Sequence, residues 1–280
     1  MSLVTQLDSA CPIVHGAGKL TDIAAESVRS AFRNSSVVLF RGFEAGQEQF
    51  RKFSNNISSE IVTHVNFSRL AYGDRTMTGV TPGNGHFFAH AEMGYVPFRP
   101  DVAWFYCEHP ASKGGETTIY DGVKILQRLK TETKRLFEEN KILFTPLIPQ
   151  KVWSEIAKEK SSFIKYLEKF GKKEFAFEFD DTDCLHSRFV TSAITRTRFG
   201  SDLAFCNSLL DTVAPLFEDG TPIPRSTLHD VISITEQLSV PIQWQAGDVL
   251  MVDNSRFMHG RRDFSDQSRK ILVRFSNIDF

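Results

Sequence analysis

The 280-residue chain has only four cysteines (Cys11, Cys107, Cys184 and Cys206), and no two of them form a Cys-x-x-Cys pair. That spacing argues against a zinc knuckle or a dithiol redox centre and leaves buried free thiols in a reducing cytoplasm as the expectation. No apolar run reaches the length of a membrane span. The start, Met1 to Ala10, lacks the basic-then-apolar pattern of a signal peptide. Excess charge is missing too: 33 Lys and Arg against 34 Asp and Glu leave a net charge of −1. Nothing in that balance points to nucleic acid or an acidic membrane surface. The lysines between Lys151 and Lys173 alternate with Glu155, Glu159 and Glu168, as on a solvated helix face. Internal repeats and low-complexity linkers are absent, so one domain over residues 1–280 is expected.

What the chain has in plenty is phenylalanine, 25 in all, enough to fill a large core and line a pocket. Helical spacing predicts helices over Thr21–Arg33 (with Thr21 as N-cap), Gln47–Ile61, Asp121–Asn140 (capped by Asp121), Ser154–Phe170 (stopped by Gly171) and Ser226–Gln237. Between them lie short β-rich runs: 36–43, 101–108, 116–120, 174–179, 189–195, 203–207, 240–244, 249–253 and 270–278. Turn residues make Thr81–Gly85 a loop. Short strands with helices inserted among them do not follow the βαβ rhythm of a doubly wound sheet. They fit a mainly β jelly roll with helices outside.

The chemistry-bearing stretch is His86 to Tyr95, where His90 and Glu92 stand two residues apart. In an extended segment such residues share a face, so an imidazole and a carboxylate could meet at one divalent metal. With eight histidines, about one such pair arises by chance, so the pair alone is weak. A third ligand could be His259, in Asn254-Ser255-Arg256-Phe257-Met258-His259-Gly260-Arg261. Two histidines and one carboxylate make the facial triad of non-haem iron oxygenases, with positions left open. Further signals accompany it. Gly114-Gly115-Glu116-Thr117 brings a hydroxyl to a strand start, Gly247-Asp248 leads a strand toward His259, and a terminal strand carries Lys270 and Arg274 on one parity.

Together these motifs resemble the TauD/TfdA family of Fe(II)- and 2-oxoglutarate-dependent dioxygenases, from about Val37 to the C-terminus. The resemblance implies a double-stranded β-helix core, a jelly roll of the cupin-like kind. It implies His90, Glu92 and His259 as iron ligands, with 2-oxoglutarate and O2 as cosubstrates. It also implies Thr117 at the 2-oxoglutarate site and a basic residue about a dozen positions after the distal histidine on its far carboxylate. Lys270 stands eleven residues after His259, where arginine is usual. Arg274 is the alternative anchor, or binds an anionic substrate group as the matching arginine does in taurine dioxygenase-like members. Arg269 is expected on the opposite face, in a structural role.

Glu92 stands where most of the family has Asp. It resembles the branch with clavaminate synthase and several amino-acid hydroxylases, and argues against the halogenases, which put a small residue there. The implied reaction is hydroxylation of an unactivated C–H bond in a small carboxylate or amino-acid-like metabolite, with release of succinate and carbon dioxide. Desaturation, epoxidation or cyclisation in natural-product biosynthesis (secondary metabolism) is the alternative. Outside the family the alternatives are a cupin-like metal protein without oxygenase activity and, because His2Glu also suits zinc, a zinc hydrolase.

Candidate substrate contacts are His86, Phe205, Asn207 and Arg274, while Asp253 and Asn254 are expected to fix the turn before His259 and Trp244 to lie in the core. The expected partner is a small molecule, in the cytoplasm, without nucleic acid or membrane. A homo-oligomer and a carrier-tethered substrate both stay open.

Overall fold

The structure, a computed structural model, describes residues 4–7, 11–64, 69, 71–170 and 173–280. Gly171, the expected helix stop, and six of the first ten residues lie outside that set. Two sheets stack to form the double-stranded β-helix. The larger has nine strands, with Val37–Arg41, Val249–Asp253, Val102–His109 and Lys270–Asn277 adjacent at its centre. The smaller has four, in the order Val240–Ile242, Thr117–Asp121, Phe257–Arg261, Phe87–His90.

Strict alternation in the central strands explains the layers, because successive side chains point to opposite faces. Val37, Leu39, Ala103, Phe105, Ile271, Val273 and Phe275 turn inward and meet Ile119, Ile242 and Phe257 of the smaller sheet. Val38, Phe40, Trp104, Tyr106, Met251 and Leu272 turn outward and are covered by Val28, Phe32, Phe50 and Phe53 of the helices Ala25–Ser35 and Gln47–Ile57. Trp104 is fully buried and can be, because its indole N–H donates to Ser276 Oγ at 2.9 Å. The smaller sheet's outer face packs Tyr120 and Met258 against Val123, Ile125, Phe205 and Val231.

Several expected elements break up for visible reasons. The predicted helix from Asp121 begins there, with the Asp121 carboxylate accepting from Val123 N at 3.0 Å. It stops at Arg128 and restarts at Thr131, where Lys130 N donates to Asp230 Oδ2 at 3.1 Å. Of the expected Ser154–Phe170 helix only Lys160–Leu167 forms, with a separate short helix, Gln150–Trp153, just ahead of it; both pack beneath a further sheet through Trp153, Phe163, Leu167 and Phe175. Thr21 lies in a 3-10 turn, and the helix after it starts at Ala25 with Ala24 as an uncapped first position. Among the described residues no helix is long and apolar enough to cross a membrane.

Candidate metal centre

Phe87–His90 and Phe257–Arg261 run antiparallel with His90 directly opposite His259. Both imidazoles therefore stand on the same face, their ring centroids 4.4 Å apart. Gly260 permits this pairing, because a Cβ there would meet Phe87 O at 2.5 Å. Glu92 arrives by another route than the extended alternation predicted. The strand ends at His90, Glu92 lies in a turn, and Met93 takes the left-handed conformation with φ 54°. Asn254 fixes that turn: its Oδ1 accepts from Glu92 N at 2.8 Å, and its Nδ2 donates to Glu92 O at 2.9 Å and Pro100 O at 2.8 Å.

His90, Glu92 and His259 are all buried, and one ligand atom from each lies within 4.8 Å of the others. His90 Nδ1 is 2.8 Å from Phe88 O. A carbonyl can only accept, so Nδ1 carries the proton and the Nε2 lone pair is free toward the centre. Burial, then the neighbouring His90, lower the His259 pKa to about 4, which leaves its imidazole neutral. Its Nε2 faces Glu92 Oε2 at 3.5 Å, and its Nδ1 is buried without a hydrogen-bond partner among the described residues. Burial works to raise the Glu92 carboxyl, but Arg69 and then His64 outweigh it and hold the group well below its usual range. Two imidazoles and one carboxylate, buried and convergent, fit a divalent cation with coordination positions to spare.

The pocket beside this cluster is walled by Val80, Phe87, Phe105 and Val273, with Thr117, Arg69, Arg261 and Arg269 as its polar lining. Thr117 is buried, and its Oγ1 accepts from Trp244 Nε1 at 3.1 Å, so Trp244 is more than core filling. Arg269 lines the same pocket. Its Nε donates to Gly115 O at 2.7 Å, its guanidinium stacks 5.1 Å from the Phe264 ring, and it has no ion pair among the described residues. Burial first, then Arg261, lower its pKa to about 10. Gly115, at φ 70°, makes room for this side chain, since a Cβ there would sit 2.8 Å from Arg269 Cδ.

The cations of the last strand are corrected by this placement. Lys270 and Arg274 do share a parity, but it is that of Leu272, which faces the helix layer. Lys270 pairs with Glu108 at 2.6 Å. Arg274 is 2 % exposed and donates to Thr76 O, Arg51 O and Ser54 Oγ. Arg269 has the parity of Ile271 and Val273, the inward face, against the expectation that it would point away. The alternation was legible; which face held the pocket was not.

The suggested substrate contacts lie elsewhere as well. His86 faces Glu236 at 3.6 Å and packs edge-on to Phe88. Phe205 is fully buried against Phe137. Asn207 is used on the backbone, donating to Ala193 O and accepting from Leu209 N, both at 2.9 Å. Asp253 accepts from Ser255 N and Oγ, the turn role expected of it. Two residues at the centre carried no sequence signal. His64 Nε2 lies 2.8 Å from Glu92 Oε1, and Arg69 places one nitrogen 3.2 Å from each Glu92 oxygen.

Residues 14–275 match the model of the TauD, TfdA family, described as taurine catabolism dioxygenase. A clavaminate synthase-like protein of Arabidopsis thaliana is 26% identical over 279 residues, covering 87% of this chain and 82% of its own. Among solved structures, AAD-2 in complex with Mn(II) and N-oxalylglycine superposes with a TM-score of 0.64 at 16% identity, over 100% of this chain and 98% of that one. PvcB of Pseudomonas aeruginosa, an Fe, alpha-ketoglutarate-dependent oxygenase from an isonitrile synthetic pathway, gives 0.57 at 14% identity, over 95% and 85% of the two chains.

Proposed function

Because the chain belongs to the TauD/TfdA family of Fe(II)- and 2-oxoglutarate-dependent dioxygenases, we propose that it hydroxylates an unactivated C–H bond of a small carboxylate or amino-acid-like metabolite. The convergence of His90 Nε2, Glu92 and His259 in one buried cluster carries this reading, with these three as the iron ligands. Bound iron supplies the oxidative decarboxylation of 2-oxoglutarate by O2, giving succinate and carbon dioxide, and the oxidising power for the C–H bond.

The chain's own residues supply geometry and exclusion of water. Asn254 sets the backbone of Glu92, and the Phe88 carbonyl sets the tautomer of His90. Thr117 and Arg269 receive the far carboxylate of 2-oxoglutarate. The planar fork of Arg269 suits a carboxylate better than the point charge of a lysine would. Lys270, already paired with Glu108, is not available for that work. Phe87, Phe105, Val80 and Val273 keep the pocket dry, which strengthens every charge interaction inside it. A place in natural-product biosynthesis accords with the isonitrile-pathway likeness. The test is a succinate-release screen of the iron-loaded enzyme against amino acids and small acids. Stimulation above the substrate-free rate by at least one of them is expected, and none across both classes would refute the substrate reading.

A further inference from the structure

Glu92 is held at its carboxylate as well as at its backbone. His64 Nε2 lies 2.8 Å from Oε1, and one terminal nitrogen of Arg69 lies 3.2 Å from each oxygen. Arginine keeps its charge in a protein, and an ionised carboxylate facing it only accepts. His64 Nε2 therefore carries the proton of its hydrogen bond to Oε1.

Both donors are fixed in turn. The strand Glu60–Val62 pairs with the last strand so that Val62 stands opposite Phe275, and His64 follows two residues later. The Phe275 ring is buried and supports both groups, with the His64 ring centroid 5.1 Å from it and the Arg69 guanidinium carbon 5.5 Å away. His64, Arg69 and Glu92 are buried as well, so water does not compete for these contacts.

The contacts divide the two oxygens of Glu92 unequally. An ionised carboxylate offers about four lone-pair sites, about two on each oxygen. His64 and Arg69 together occupy those of Oε1. Oε2 meets only Arg69 of these two, and it faces His259 Nε2 at 3.5 Å. Glutamate needs such a division more than aspartate does, because its longer side chain has a further rotatable bond with which to present either oxygen, or both. An octahedral metal ion held by three protein atoms keeps about half of its positions. 2-Oxoglutarate chelates through two of those, so a fourth protein atom would take the position that O2 needs.

We infer that His64 is a positioning residue: with Arg69 beside it, it confines Glu92 to a single ligand atom, Oε2, and so keeps a coordination position open for O2. The inference rests on the oxygenase reading above.

The test uses nitric oxide as a stand-in for O2 on the full chain loaded anaerobically with Fe(II) and 2-oxoglutarate. It reads Fe(II) affinity against a competing chelator, the visible charge-transfer band, and the electron paramagnetic resonance signal of the iron–nitrosyl adduct. His64→Leu frees Oε1, so nitric oxide affinity should fall about tenfold or more while Fe(II) affinity is kept or raised. His64→Gln can again place an N–H on Oε1 and should restore most of the nitric oxide affinity. A merely structural role would lower the thermal midpoint without separating the variants in this way. Wild-type nitric oxide affinity in His64→Leu, or an equal loss in both variants, would overturn the inference alone. If His64→Leu does not fold, a crystal structure of the wild-type chain loaded anaerobically with Fe(II) and 2-oxoglutarate decides the matter. Oε2 alone on iron, with His64 still on Oε1, is expected, and iron bound by Oε1, alone or with Oε2, would overturn the inference. Absence of the band in the wild-type chain would overturn the oxygenase reading and the inference with it.

Discussion

Asn254 grips both backbone polar groups of Glu92, accepting from its N–H at 2.8 Å and donating to its carbonyl at 2.9 Å across 162 residues of sequence. This clamp, and not strand alternation, sets the carboxylate toward the two histidines. Asn254→Ala should destabilise the protein by about 2–4 kcal/mol, since it leaves buried backbone groups unpaired. It should also weaken Fe(II) binding by about 10–100-fold, the usual effect of removing a group that orients a ligand. Metal titration with a competing chelator reads the second effect, and unchanged affinity in a folded variant would show that the turn holds without the clamp.

Arg269 and Lys270 are adjacent yet face opposite sides of the last strand. Arg269→Ala should raise the apparent KM for 2-oxoglutarate by about 10–100-fold, the scale of a charge-assisted hydrogen bond. Lys270→Ala, which breaks the pair with Glu108 and the contact with the Tyr72 ring, should leave it within about twofold. The reverse order would place the anchor on the outward face.

Gly115→Ala tests the same anchor without touching its charge. The new Cβ would sit 2.8 Å from Arg269 Cδ at a backbone φ of 70°. Strain of about 1–3 kcal/mol is expected, with a higher 2-oxoglutarate requirement as Arg269 shifts. A lowered thermal midpoint with an unchanged KM would mean that Arg269 does not depend on this glycine.

Two buried histidines make the metal-free protein sensitive to acid. Burial is the main cause lowering both His64 and His259 to about 4, from an ordinary value of 6.5. Between those values the unfolded chain binds more protons than the folded one, so stability rises with pH across that window. The protection is complete above about pH 6.5 and is lost as pH falls toward about 4. Calorimetry on the metal-free protein should show the midpoint falling through this range, less steeply in His64→Gln. A midpoint independent of pH there would mean that these imidazoles are not buried neutral.

Much of this was legible in the chain. His90, Glu92 and His259, which the fold gathers into one buried cluster, and Thr117, which lines the pocket beside it, could be named from motifs, because such motifs keep their residue types in order along the sequence. The alternation of the central strands could be read as well, since a period of two is local. What could not be read was long-range. The parity of Lys270 and Arg274 was plain, yet both faces of that strand are covered by protein, so no polar face marked where the pocket lay. Glu92 falls in the right place through a side chain far away in sequence. Arg69 and His64 reach Glu92 from a segment whose pattern resembles no ligand motif, and only folding brings them there.

The central claim is that His90, Glu92 and His259 hold iron with 2-oxoglutarate beside it. The most direct measurement is the visible absorption of the anaerobic protein after Fe(II) and 2-oxoglutarate are added. A charge-transfer band should form in the wild-type chain and be lost in His90→Ala and in His259→Ala. A wild-type chain without the band, or the full band in either variant, would contradict the account.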